Sequence, residues 1–77
     1  MSDMKHILDA SDLLCPLPVL KARKRLQPLD AGDILEMRAT DPAAIVDVPH
    51  FCAEAGHALI ETREDGNAHI YVIRKGG

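Results

Sequence analysis

The sequence has no tryptophan, a single phenylalanine (Phe51), a single tyrosine (Tyr71) and two cysteines among 77 residues. So few aromatic rings leave no platform on which nucleic-acid bases could stack. Nine Lys and Arg against twelve Asp and Glu give a net charge of −3, without the basic excess that phosphate contacts require. Direct nucleic-acid binding is therefore not expected. Two cysteines permit one disulfide at most, whereas small secreted domains usually carry several. No apolar run approaches the roughly 18 residues of a membrane span, and the opening MSDMKHILDA lacks the apolar stretch of a signal peptide. The expectation is a reduced, cytoplasmic chain with two free thiols and no membrane association.

What is present is the composition of an ordinary folded domain, 47% hydrophobic and 27% charged. Residues 1–77 are read as one domain, with neither repeats nor linkers. A chain this short buries only about 60% of its unfolded surface. That leaves no room to enclose a substrate or a bound cofactor, so any chemistry falls to one or two exposed side chains.

Lys5 to Ala10 is a strand candidate. From Pro16, the apolar residues Val19, Ala22, Leu26 and Leu29 recur at helical spacing, with Lys21, Lys24 and Arg25 opposite. Pro28 and Asp30-Ala31-Gly32 stop this helix. Asp33 to Ala39 alternates as a half-buried strand. Asp41-Pro42 reads as an N-cap and first helical residue. The second helix then places Ala44, Ile45, Val48, Phe51, Cys52 and Ala55 on one face and Asp47, His50 and Glu54 on the other. Pro49 is expected to kink or split it, with Asp47 as a second cap, and Gly56 ends it. His57 to Arg63 and Ala68 to Arg74 form a hairpin about Asp65-Gly66-Asn67. The order β-α-β-α-β-β implies an α+β fold, a two-layer sandwich with both helices on one face of a four-stranded mixed sheet. The other face meets solvent or a partner.

Helical phase separates the two thiols. Cys52 falls in the apolar stripe and reads as a small, inert core residue. Cys15 stands where a loop enters a helix, immediately before Pro16, at the positive end of the helix dipole where a thiolate is favoured. Pro18 lacks an N–H, which leaves Leu17 as the nearest amide for the sulfur. Leu17 precedes a proline and is biased away from helical geometry. A simple capping role for Cys15 stays open. No second cysteine follows within a turn, so a dithiol mechanism is disfavoured against single-thiol chemistry.

The run Cys15-Pro16-Leu17-Pro18-Val19-Leu20-Lys21 resembles the TusA-like (SirA/YedF-like) sulfur carrier family with its Cys-Pro-x-Pro motif. The resemblance extends over Leu8-Asp9, Asp41-Pro42-Ala43, Asp47-Val48-Pro49, Phe51-Cys52, Gly56-His57-Ala58-Leu59 and Ile73-Arg74-Lys75-Gly76-Gly77. It implies a sandwich akin to the C-terminal domain of translation initiation factor 3. It also implies that Cys15 accepts sulfane sulfur from a cysteine desulfurase or rhodanese-like donor, holds it as a persulfide and relays it to an acceptor protein. Destinations used by such carriers are tRNA thiolation, cofactor assembly and sulfur metabolism. Pro16, Leu17 and Pro18 would support the sulfur, and Arg23 and Asp41 are candidate partner contacts. Two positions depart from the family's habit: Asp12 stands where glycine is common and Leu14 where arginine is common. No cofactor or metal is implied, and a small carrier presenting one thiol is expected to be a monomer.

Three rival readings remain open at this point. The terminal Gly76-Gly77 matches carriers that load sulfur as a C-terminal thiocarboxylate, although a frayed tail is the simpler expectation. His50, Cys52 and His57 have metal-ligand chemistry but poor spacing for a structural zinc site, and His6 and His69 are isolated on strands. A redox-sensing or regulatory protein-interaction module would use Cys15 without relaying sulfur.

Overall fold

A computed structural model describes residues 5–77. Met1 to Met4, the start of the stretch read above for a signal peptide, lie outside the described residues. The elements are β1 (Lys5–Ala10), α1 (Leu17–Leu26), β2 (Ile34–Ala39), α2 (Ala44–Ala55), β3 (Ala58–Asp65) and β4 (Ala68–Arg74). This is the expected β-α-β-α-β-β order.

The sheet order is β1-β2-β4-β3. β1 and β2 run parallel, with Leu8 opposite Met37, and α1 makes the crossover between them. β4 is antiparallel to both of its neighbours. The hairpin turns through two residues, Gly66 and Asn67, with Gly66 in the left-handed region, as tight antiparallel connections require.

Alternation decides which side of the sheet is covered. Leu35, Met37 and Ala39 on β2 face Leu8 and Ala10 on β1 and Tyr71 and Ile73 on β4. Ala22 and Leu26 from α1 and Ala44, Val48, Phe51 and Cys52 from α2 complete one core. Each fully buried Leu, Ile or Met contributes about 1.5–3 kcal/mol through removal from water. The opposite side carries ions. Lys5 Nζ lies 2.9 Å from Glu36 Oε1, Arg63 reaches the same oxygen at 3.6 Å and Glu61 at 2.7 Å, and Arg38 pairs with Asp65. The hydrogen bond from Lys5 is the main reason that the Glu36 carboxyl is held below the usual range, with Arg63 adding to it. The face is mixed: these ion pairs lie among the exposed Ile7, the half-buried Ile34 and Ile70 and the buried Val72.

Several local expectations are corrected. Asp41 does not cap α2: the helix starts at Ala44, and Asp41 to Ala44 form a preceding turn in which Ala44 N–H donates to the Asp41 carbonyl at 3.0 Å. Pro49 neither breaks α2 in two nor creates a second cap. It lies inside one helix, and the buried Val48, Phe51 and Cys52 around it hold that helix through the lost N–H. Ile45 and Ala55 are exposed, so the buried stripe of α2 is narrower than the pattern suggests. Helix α1 ends at Leu26, so Leu29 lies beyond it; Pro18 is buried, while Val19 and Leu29 are only half-buried against the core. His57 precedes β3 rather than opening it.

The C-terminal segment is tied down as far as Gly76. Lys75 N–H donates to the Asp33 carbonyl at 2.8 Å, and Lys75 Nζ donates to the Leu26 and Gln27 carbonyls at the end of α1. A cation at a helix C-terminus satisfies carbonyls that have no intrahelical donor. Gly76 N–H donates to His57 Nδ1 at 3.0 Å. No helix among the described residues is long and apolar enough to cross a membrane.

Candidate functional site

The loop between β1 and α1 is shaped before it reaches Cys15. Asp12 has φ +65°, a conformation that non-glycine residues rarely adopt but that Asp tolerates better than most. Its N–H donates to Thr40 Oγ1 at 2.8 Å. The position where glycine is common thus carries a left-handed residue, and Asp12 adopts that geometry. The following Leu14 is 69% exposed.

Cys15 is exposed and its thiol is free. It stands one residue before the N-cap of α1, which is Pro16, and the Cys15–Pro16 bond is cis. Leu17 is the first residue of α1, despite its place before Pro18. Its amide donates to the Leu14 carbonyl at 2.9 Å and not to sulfur, and α1 has no side-chain cap. The alternative that Cys15 only caps α1 and the expectation that Leu17 serves its sulfur are therefore overturned.

Two acids fix Cys15 instead. Asp41, in the turn before α2, accepts the Cys15 N–H at 2.6 Å on Oδ2 and the Ala43 N–H at 3.2 Å on Oδ1. Asp47, on the first turn of α2, accepts a hydrogen bond from the Cys15 thiol at 3.0 Å. Sequence reasoning missed Asp47 as a site residue, because 32 positions separate it from Cys15 and no local pattern links them. The hydrogen bond to Asp47 pushes the Cys15 thiol above its ordinary range. Loss of hydration and the charges of Asp47 and Asp41 add to the rise. The expectation of a thiolate favoured by the helix end is thus corrected: the carboxylate in contact with the sulfur favours the protonated thiol.

Pro16 at the N-cap of α1, Val19 and Arg23 within it, and Asp47, His50, Phe51 and Glu54 of α2 line an open cleft of ≈ 180 Å³ that shares Asp47 with Cys15. Arg23 stacks over Phe51, with 5.2 Å between guanidinium carbon and ring centroid. Among the described residues it forms no ion pair. Exposed apolar residues lie near the site in the chain: Leu14, Leu17 and Leu20 on either side of Cys15-Pro16, and Ile45 and Val46 just before Asp47 at the start of α2. Of the five predicted supports and contacts, Pro16 and Arg23 share this cleft, Asp41 holds the Cys15 amide, Leu17 projects into solvent and Pro18 is buried.

The residues considered for metal binding are not assembled. Cys52 is buried, His50 Nε2 lies 3.3 Å from Glu54, and His57 accepts the Gly76 amide. His69 stacks on Tyr71 at 6.3 Å. No group of three or more His, Cys, Asp or Glu side chains gathers as a metal site among the described residues.

A small mixed sandwich that presents one exposed cysteine at a helix entrance has close relatives. The family model described as sulfurtransferase TusA matches residues 6–75. The sulfur carrier protein TusA of Allochromatium vinosum is 40% identical over 75 residues, covering 97% of this chain and 99% of its own. That of Pseudomonas entomophila is 42% identical over 77 residues, with 97% and 96% covered. The crystal structure of a SirA-like protein from Desulfitobacterium hafniense superposes with a TM-score of 0.81 over 96% of this chain and 100% of that one, at 24% identity, and shows the fold. The chain belongs to the TusA family of sulfur carriers.

Proposed function

We propose that this chain is a single-domain sulfur carrier in which Cys15 receives sulfane sulfur as a persulfide and passes it to an acceptor protein. The observation that carries the reading is the pairing of one exposed, free thiol with a core too small to enclose a substrate. In loading, the Cys15 sulfur gives up its proton and attacks the outer sulfur of a donor persulfide. The sulfur–sulfur bond in the donor breaks, and the donor leaves as a thiolate that takes up a proton. Sulfur changes hands with no net oxidation or reduction. Unloading is the same exchange with an acceptor thiolate as the attacking group.

The donor is a persulfide-bearing protein of the cysteine desulfurase or rhodanese-like kind, and the acceptor serves tRNA thiolation, cofactor assembly or sulfur metabolism. Docking of macromolecular partners suits the exposed apolar residues Leu14, Leu17, Ile45 and Val46, close in the chain to Cys15 and Asp47, with Arg23 and Asp41 as polar contacts. Pro16 and Pro18 restrict the backbone beside the thiol.

The test is Cys15→Ser, scored separately for partner binding and for sulfur transfer. A carrier keeps its binding and loses all transfer. Transfer that survives the substitution overturns the reading, and a partner-dependent output that survives it favours a non-relaying interaction module.

A further inference from the structure

The two acids at Cys15 act on different atoms. Asp41 takes the backbone N–H and would do so whatever side chain stood at position 15. Asp47 reaches across from another helix to the sulfur itself. Its place in the first turn of α2 already complements the helix dipole, but that role requires no contact with Cys15.

We propose that Asp47 holds Cys15 as an aimed, hydrogen-bonded thiol in the free protein and, by favouring that thiol over the loaded form, promotes release of carried sulfur. The second half rests on the carrier reading; the first does not. The charged surroundings of the sulfur support it. The turn before α2 contributes Asp41; α2 contributes Asp47, with His50 and Glu54 beyond it in the cleft; α1 contributes Arg23, which is engaged with Phe51. The groups in contact with Cys15 are both carboxylates, and a carboxylate accepts from S–H but repels S⁻.

The same contact bears on unloading. An acceptor thiolate attacks the outer sulfur of the Cys15 persulfide, the bond to Cys15 Sγ breaks, and the departing Cys15 thiolate takes a proton and regains its hydrogen bond to Asp47. The persulfide is more acidic than a thiol, so its anion lies beside the same negative charge. Both effects lower the relative stability of the loaded state.

The experiment compares wild type with Asp47→Asn, measuring iodoacetamide modification of the Cys15 peptide across pH. The expected result is a profile displaced to lower pH by about one unit, or roughly tenfold more thiolate at neutral pH. Asp47→Glu, which keeps the charge, should stay near wild type. Superimposable wild-type and Asp47→Asn profiles from folded proteins overturn the proposal. Should Asp47→Asn not fold, wild type decides: Cys15 followed by NMR must titrate higher in the folded chain than in urea, and equal values overturn it. For release, each protein is equilibrated with a fixed ratio of glutathione persulfide to glutathione. Asp47→Asn should retain several-fold more sulfur, and equal retention overturns the release half. A wild type that takes up no sulfur overturns the carrier reading and the release half with it, while the alkylation profile still decides the thiol half.

Discussion

Cys15 and Cys52 have the same side chain and opposite surroundings. Cys52 lies within α2 at 2% exposure, among Val48, Phe51 and the sheet residues of the core, and burial pushes its thiol up to about 11. Cys15 is exposed on a loop pinned by Asp41, and its thiol is also raised, chiefly through its hydrogen bond to Asp47. Acidity therefore does not distinguish the two, since both shift the same way. Access does: only one sulfur can meet another protein. A raised thiol that is exposed can still be released when its partner acid is disengaged, whereas a raised thiol in the core has no such route.

The contrast can be broken most severely at the sulfurs. Cys15→Ser should abolish persulfide loading outright, while Cys52→Ala should leave loading intact and lower stability by about 1 kcal/mol, read from the urea midpoint. A Cys52 variant that folds but no longer loads would move the chemistry to the wrong thiol. A parallel pair tests the two environments without touching sulfur. Leu35→Ala removes a fully buried side chain from the sheet and should cost about 2–5 kcal/mol, whereas Leu14→Ala, beside Cys15, should stay within about 0.5 kcal/mol. Equal losses in urea melts would mean that the loop is as tightly packed as the core.

Two smaller effects sharpen the same comparison. Asp12→Gly removes the left-handed penalty in the Cys15 loop and should stabilise the chain by up to about 1 kcal/mol, without altering modification of Cys52. At the far end of α2, burial lowers the His57 pKa, with Lys75 and Arg23 adding to the effect. The unfolded chain then binds a proton at His57 more readily than the folded one. Stability should fall as pH drops from about 7 through the ordinary histidine value near 6.5, while the Gly76 contact loses its acceptor. His57→Gln should flatten that segment of the stability–pH curve relative to wild type, and an unchanged slope would remove His57 from the account.

Much of this was legible in the residues. The element order came from periodicity, because each strand and helix buries one face and its spacing records which. Cys52 was placed by the same rule, with Val48 and Phe51 as its neighbours. The exposed position of Cys15 followed from its place at a loop–helix junction. What periodicity does not record is contact between segments. The Asp47–Cys15 bond joins residues 32 apart and the tie from Lys75 to Leu26 spans 49 positions, so neither leaves a local pattern. Asp47 read as an outer-face residue of the second helix or a second cap, and Gly76-Gly77 as a frayed tail. The thiolate expectation failed for that reason: the helix dipole could be inferred from Pro16 onwards, but the opposing carboxylate could not. Pro49 shows packing overriding local preference, since the core contacts on both sides of it keep α2 whole.

The most direct measurement is residue-resolved mass spectrometry after wild-type protein is mixed with a persulfide donor. Lys21 and Arg38 lie between the cysteines, so trypsin places them on separate peptides, and the C-terminus on a third. The account predicts a gain of one sulfur atom on the Cys15 peptide, reversed by reductant, with the other two unchanged. Sulfur found on the Cys52 peptide, or replacing an oxygen at Gly77 while Cys15 stays unmodified, would contradict it.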